Sequence, residues 1–241
     1  MTNCEKILEA VPDLVDPVGF EAHPFKIGWY NEAVAHSCFK LPYPADTLAF
    51  IVISTPRMFD KAFKPFISRT DCTGPQDAID TCMTYHFDLV KQRFPQCSIE
   101  AIHDFELLPN RRPKILVQTA GHVAGAVRFY QRADLANDPW DQSKKIYGVC
   151  IHPKYGGWFA LRGVLVFKDV LCPQLKKKLC EDLLPSDEQK RDLLEKYNDH
   201  WQDWSFRDVL PVEDRYSEEQ KTYFATPPGE RQELVRKIKN S

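Results

Sequence analysis

IYGVCIHPKYGGWFALRGVLVF, residues 146–167, holds two β-prone runs on either side of a turn. Residues 146–151 and 158–167 are rich in branched and aromatic side chains, which suit a pleated, half-buried surface. Pro153, Gly156 and Gly157 supply turn residues between them, so the spacing predicts a hairpin with antiparallel pairing. Working outward, Leu48-Ala-Phe-Ile-Val-Ile-Ser54 is a short apolar run bounded by Pro44 and Pro56, which reads as a buried strand followed by a helix. Residues 98–107 alternate polar and apolar, and 114–119 form another β-prone run beyond the 109–113 turn; the two are expected to be neighbouring strands. Toward the C-terminus the period changes. Leu193, Tyr197, Trp201 and Trp204 recur at helical spacing, opened by the capping box Ser186 and Gln189. Ser217 to Gln220 repeats that capping signature, and Thr226-Pro227 reads as an N-cap before a first-turn proline. Strands in the middle with helices at both ends predict an α+β fold, an antiparallel sheet flanked by helices. No GxGxxG fingerprint accompanies it, so a dinucleotide-binding reading is weak.

The chain has 241 residues, 43% hydrophobic and 27% charged, the composition of a globular protein and the length of one large domain or two small ones. We read 1–241 as a single domain, with 168–186, which contains Lys176-Lys-Lys178, as a flexible surface loop. The longest apolar run, Leu48 to Ile53, is far below the roughly 20 residues that cross a bilayer. Thirty-two basic against 34 acidic side chains leave a net charge of -2, so no overall field attracts nucleic acid or an anionic membrane. Met1-Thr-Asn-Cys-Glu-Lys6 carries no basic and apolar leader pattern, so a cytoplasmic location is expected. Eight cysteines, at 4, 38, 72, 82, 97, 150, 172 and 180, show no CxxC spacing, and most are expected to be reduced and buried.

Several residues invite chemistry. Cys150 and His152, two apart, share a face if their strand continues, which is compatible with a zinc pair, a Cys-His nucleophile or a thiol beside a planar cofactor. His122 in Ala120-Gly-His-Val-Ala-Gly125 stands among small residues that let a ligand or another backbone come close, although a lone histidine reads first as a hydrogen-bonded core residue. Gly156-Gly157 reads as a tight turn or a close approach. Arg162, Arg207 and Arg231 suit a multiply charged anion if they converge, and separate surface ion pairs if they do not. Trp158, Trp201 and Trp204 read as core.

The segments Pro17-Val-Gly-Phe-Glu21, Trp29-Tyr-Asn-Glu32, Leu48-Ala-Phe50, Ser54-Thr-Pro56, Pro109-Asn-Arg-Arg-Pro-Lys-Ile-Leu116, His122-Val-Ala-Gly125, Tyr130-Gln-Arg132, Gly148-Val-Cys-Ile-His-Pro153, Gly156-Gly-Trp-Phe-Ala160, Arg215-Tyr-Ser-Glu-Glu-Gln-Lys221 and Thr226-Pro-Pro228 together resemble the CblC (MMACHC) family. The resemblance covers nearly the whole chain and fades over 168–186. It implies a nitroreductase or flavin-reductase-like fold that binds cobalamin base-off and removes its upper axial ligand, as a cyanocobalamin reductase and alkylcobalamin dealkylase. It places Asp104, Ile115, Leu116, Val117, Gln118, Phe129, Tyr130, Gln131, Cys150 and Leu161 against the corrin or its amide side chains. His122, Gly156 and Gly157 belong to the family's cobalamin motif, with His122 shaping the site rather than ligating cobalt. Arg162, Arg207 and Arg231 are implied to position glutathione, the alkyl acceptor, while FAD or FMN serves reductive decyanation. The resemblance further implies a thiol oxidase side activity and no protein-held metal, the cobalt being held within cobalamin. It suggests hand-over to a downstream trafficking protein (MMADHC-like) and the methionine synthase system, and a monomer or ligand-induced homodimer. A flavin-dependent reductase of the same fold and a non-catalytic cobalamin carrier are the alternatives.

Overall fold

Residues 3–70, 72 and 76–240 are described by the computed structural model. Every side chain from Thr47 to Ser54 is buried, so this strand needs a neighbour on each edge and a cover on each face. In chain order the strands are β1 (Phe20–Lys26), β2 (Thr47–Ser54), β3 (Ile99–His103), β4 (Arg128–Tyr130), β5 (Val149–Ile151) and β6 (Ala160–Leu171). The main sheet runs β1-β2-β6-β3 with antiparallel neighbours throughout, and β4 pairs with β5 in a second, two-stranded sheet. The α-helices are α1 (Asn3–Val15), α2 (Ile27–Ala33), α3 (Lys64–Arg69), α4 (Ala78–Arg93), α5 (Val117–Val123), α6 (Asp187–Asp199), α7 (Glu218–Ala225) and α8 (Arg231–Asn240). Strand alternation divides the core: Leu48, Phe50 and Val52 pack with α1 and α4, whereas Ala49, Ile51 and Ile53 pack with α2 and α5. A third cluster joins β4 and β5 to Leu193 and Leu194 of α6.

One irregularity in this sheet bears on the site. Val52 pairs with Gly163 and Ile53 with Leu161, so Arg162 is an extra residue on β6, a β-bulge. Leu161 therefore packs toward Gly121 of α5, while Arg162 turns to the opposite face, where its Nε donates to Ser54 Oγ at 2.9 Å. Gly163 makes this possible: its φ is 139°, and a Cβ there would lie 2.4 Å from the Ile102 carbonyl oxygen.

The α+β class, the strand at 47–54 and the helical turns that follow it match the sequence reading, as do the Ser186/Gln189 and Ser217 caps. Other expectations are corrected. Residues 146–167 do not form a hairpin, because the 152–157 turn closes on itself through the His152–Gly156 bridge and delivers β6 to a different sheet from β5. Residues 114–119 are not a strand: Ala120, Val123 and Ala124 bury at helical spacing, and that packing overrides the β-propensity of Ile115 to Val117. The helix through Leu193 and Tyr197 stops at Asp199; Trp201 lies in a 3-10 turn, and Trp204 takes a left-handed conformation with φ 63°. Thr226 closes the end of α7, and α8 begins only at Arg231. Of the loop expected over 168–186, the first residues extend β6 to Leu171, and Cys172 and Leu184 are buried. Cys4 and Cys172 are paired as a disulfide, with Cα atoms 6.0 Å apart, and Cys38 is exposed, so the cysteines are less uniformly reduced and buried than expected. Met1 and Thr2 of the N-terminal stretch lie outside the described residues. No helix among those described is long and apolar enough to cross a membrane.

Candidate functional site

The arginines read as a triplet in the sequence do converge. Arg162, Arg207 and Arg231 line one cavity of about 860 Å³, together with aromatic rings that include Tyr147, Trp201, Trp204 and Phe224. Phe224 stands between two of the cations, 5.6 Å from the guanidinium carbon of Arg162 and 5.9 Å from that of Arg231. Arg207 is caged by Trp204 and Phe206, each at 5.0 Å, and by Tyr216 at 5.3 Å. Trp158 is core as read, whereas Trp201 is more than half exposed and Trp204 lines the cavity, which corrects the core assignment for both.

Each arginine is held from behind. Arg231 Nη1 donates to Asp77 Oδ2 at 2.5 Å, and Asp77 Oδ1 accepts both the Tyr223 hydroxyl at 3.0 Å and the Ile79 amide that it caps at the start of α4. Arg207 Nη1 donates to the Gly157 carbonyl, and the Gly157 amide donates back to the Arg207 carbonyl at 2.9 Å. A Cβ on Gly157 would stand 2.6 Å from Arg207 Cα, and one on Gly156 would stand 2.7 Å from the Arg207 carbonyl oxygen. The glycine pair is thus a seat for the Arg207 backbone. Arg162 is 7% exposed and faces Asp80 and Asp104 electrostatically. Burial, with Asp77 and Asp104 nearby, pushes the Asp80 carboxyl up to about 6. Burial raises Asp104 as well, against the pull of Arg162. Among the described residues no carboxylate pairs with Arg162 or Arg207 within ion-pair distance, so positive charge is left facing the cavity.

The residues implied to touch a corrin lie behind β6. Leu116, Val117, Gln118 and the half-buried His122 sit at or on α5, Phe129 on β4 and Cys150 on β5, with Leu161 packed against Gly121. Ile115 is buried in the same cluster. These residues do not themselves line the arginine cavity, yet they border it: Leu161 separates Ala160 from Arg162, which do, and Phe129 abuts Gly148 next to Tyr147. Tyr130 is fully buried, its hydroxyl donating to Asp182 at 2.8 Å, and Gln131 is exposed. Asp104 lies with Arg162 rather than with α5, one carboxylate oxygen buried without a hydrogen-bond partner. His122 Nδ1 is 3.4 Å from the Val127 carbonyl, and burial lowers its pKa. Another part of the chain explains the small residues around it, since a Cβ on Gly125 would meet the Lys178 carbonyl at 2.4 Å. The Cys150 thiol is raised by burial and lies 4.0 Å from the Gln118 carbonyl, so it stays protonated and is no activated nucleophile. His152 turns instead to Glu21, which ends the reading of Cys150 and His152 as a pair.

A family profile described as the Methylmalonic aciduria and homocystinuria type C family, MMACHC, matches residues 19–235. The chain belongs to the MMACHC family. A relative from Gallus gallus named "Cyanocobalamin reductase / alkylcobalamin dealkylase" is 53% identical over 231 residues, 96% of this chain and 96% of that protein. The Homo sapiens protein of the same name is 47% identical over 230 residues, 95% of this chain and 81% of that protein. A solved Caenorhabditis elegans structure described as a B12-trafficking protein CblC, a human MMACHC homologue, superposes with a TM-score of 0.88 at 36% identity, covering 98% of this chain and 96% of that one.

Sequence reading missed a polar cluster at Glu21, His23 and His152. Glu21 Oε2 lies 2.9 Å from His23 Nε2 and 3.2 Å from His152 Nε2, and Glu21 Oε1 accepts the Tyr155 hydroxyl at 2.8 Å. The only local signal was Glu21-Ala-His23 on a strand, which shares one face by alternation; nothing in the sequence ties it to a histidine 131 positions away. Asp77 and Asp80 were missed for the same reason, since their arginine partners are remote in the chain.

Proposed function

We propose that this chain is a cyanocobalamin reductase and alkylcobalamin dealkylase that binds cobalamin base-off and transfers the upper alkyl ligand to glutathione. The observation that carries this reading is the convergence of Arg162, Arg207 and Arg231 on one aromatic cavity, in a chain nearly full-length similar to proteins named for that activity. Guanidinium forks suit the two carboxylates of glutathione, and the surplus positive charge favours its thiolate. Arg231 and Arg162 would orient the tripeptide across Phe224, and Arg207 would complete the clamp from its aromatic cage. Held in line with the cobalt–carbon bond, the thiolate forms a thioether with the alkyl carbon while the bonding pair stays on cobalt; positioning supplies most of the rate. Leu116, Val117, Gln118, Phe129, Cys150 and Leu161 would form the corrin wall, with the protonated Cys150 as a packing group. A chain of this kind is read as nitroreductase-like, with reduced FAD or FMN, or a thiol, as the electron source for decyanation. Thiol oxidation as a side activity, a cytoplasmic location and hand-over to a trafficking partner belong to the same reading.

The test is a visible-spectrum titration with methylcobalamin followed by glutathione. A base-off shift and then glutathione-dependent loss of the alkyl ligand is the expected result. No shift favours a flavin reductase, and a shift with no further change favours a carrier. Replacing Arg162 by Gln should raise the glutathione KM about 10- to 100-fold, the scale of one lost charged hydrogen bond, with little change in cobalamin Kd. Equal losses in both would sink the assignment of Arg162.

A further inference from the structure

We propose that Glu21, His23 and His152 form a binding site for a divalent first-row transition-metal ion of the Zn²⁺ type, separate from the arginine cavity. One ligand atom from each residue lies within 4.8 Å of the other two. Two imidazole nitrogens and a carboxylate oxygen are the donor set of three-ligand zinc sites that leave a fourth position for water. At zinc bond lengths of about 2.0–2.1 Å, tetrahedral donors stand roughly 3.3 Å apart. Both oxygen-to-nitrogen edges, at 2.9 and 3.2 Å, are already near that value, and the two imidazole nitrogens lie within 4.8 Å of each other.

The setting favours a fixed site with a way in. Glu21 and His23 project from the same face of β1, a strand paired with β2 along its whole length. His152 is bracketed by the rings of Tyr155 at 4.7 Å and Phe159 at 5.6 Å, which limit its rotation. The Tyr155 hydroxyl orients the carboxylate through its second oxygen, the kind of outer bond that supports metal ligands. Side-chain exposures of 21% for Glu21 and 24% for His23 leave the cluster open to solvent. The Cys150 thiol, two positions before His152 in the chain, is directed to Gln118, and the cluster's donors are nitrogen and oxygen only.

Two features oppose tight binding. His152 Nδ1 accepts the Lys154 amide at 3.1 Å, which places the ring proton on Nε2; an ion on Nε2 must displace that proton to Nδ1 and give up this bond. The Lys154 ammonium lies 5.0 Å from the Tyr155 ring. The site is therefore set for roughly micromolar rather than structural affinity. A bound ion would brace the 152–157 turn, whose Gly157 seats Arg207.

The test is titration of the full chain with Zn²⁺ against a chromophoric chelator, together with the visible spectrum of the Co²⁺ form. One equivalent should bind, the Co²⁺ spectrum should lack thiolate charge-transfer bands, and His23→Gln should weaken binding at least tenfold. That variant keeps the contacts among Glu21, His152 and Tyr155, so its melting temperature in chelator should match the parent. Glu21→Gln, a second variant, should weaken Zn²⁺ binding by at least as much. Unchanged Zn²⁺ affinity in His23→Gln, thiolate bands in the Co²⁺ spectrum, or no binding below millimolar Zn²⁺ would each overturn the proposal.

Discussion

At the level of single residues, the wall behind the arginines makes the fold sensitive to pH. The folded Asp80 carboxyl, pushed up to about 6, holds its proton above its ordinary value of 3.8. Its contribution to stability is therefore complete below that ordinary value and is lost as pH rises through about 6. His86, on the same helix, is lowered to about 4 by burial and acts with the opposite sign, its contribution being lost as pH falls from 6.5. Asp80→Asn isolates the first effect. Partial solvation of Asp80 screens it, so the cost at neutral pH is about 1 kcal/mol. The variant should melt about 2–4 °C above the parent at pH 7, with the gap closing near pH 4. A gap that does not vary with pH would contradict the account. Gly157→Ala drives a Cβ against the Arg207 backbone and should cost about 1–3 kcal/mol in a urea titration, while raising the glutathione KM more than the cobalamin Kd. The three arginines were visible in the sequence as residues, but their convergence was not, because Asp77, Phe224 and Gly157, which fix it, lie in separate elements.

At the level of elements, the serine caps read true, whereas the Thr226-Pro227 cap, the β-run at 114–119 and the choice of strand partners did not. Ser186 with Gln189, and Ser217 before α7, are complete within four residues, and the structure bears both out. Ser186→Ala should cost about 1 kcal/mol and speed amide exchange in the first turn of α6. Partner choice was not local. Residues 146–151 and 158–167 are sound strand material joined by a sound turn, yet a strand as apolar as β6 is satisfied only between β2 and β3, both distant in sequence. Trp204 keeps helical spacing after the helix has stopped, a register that spacing alone cannot reveal. The bulge on β6 had no sequence signal beyond a glycine following an arginine. Gly163→Ala, at φ 139° and facing the Ile102 carbonyl, should destabilise the fold by about 2–3 kcal/mol and weaken the glutathione response, since Arg162 depends on that backbone for its aim.

At the level of the whole molecule, the layer class was legible because composition and period decide it, and the arginine cavity was not because tertiary packing decides it. Glutathione at 100 times its Kd should stabilise the protein by about 2.7 kcal/mol, read as a melting shift, and Arg231→Gln should remove most of that gain. Disruption of the Arg231 contact to Asp77 alone would lower the baseline without removing the glutathione-dependent increment, which separates a ligand contact from a brace. The architecture also places two jobs on consecutive residues: Leu161 faces α5 and Arg162 faces the cavity, each reaching its side through one extra residue in β6. Deleting Leu161 would remove this bulge and bring Arg162 opposite Ile53, turning the cation toward the oily layer and leaving the opposite chamber without its anchor. Evolution of such a chain can therefore exchange side chains on β6 far more freely than it can change the strand's length.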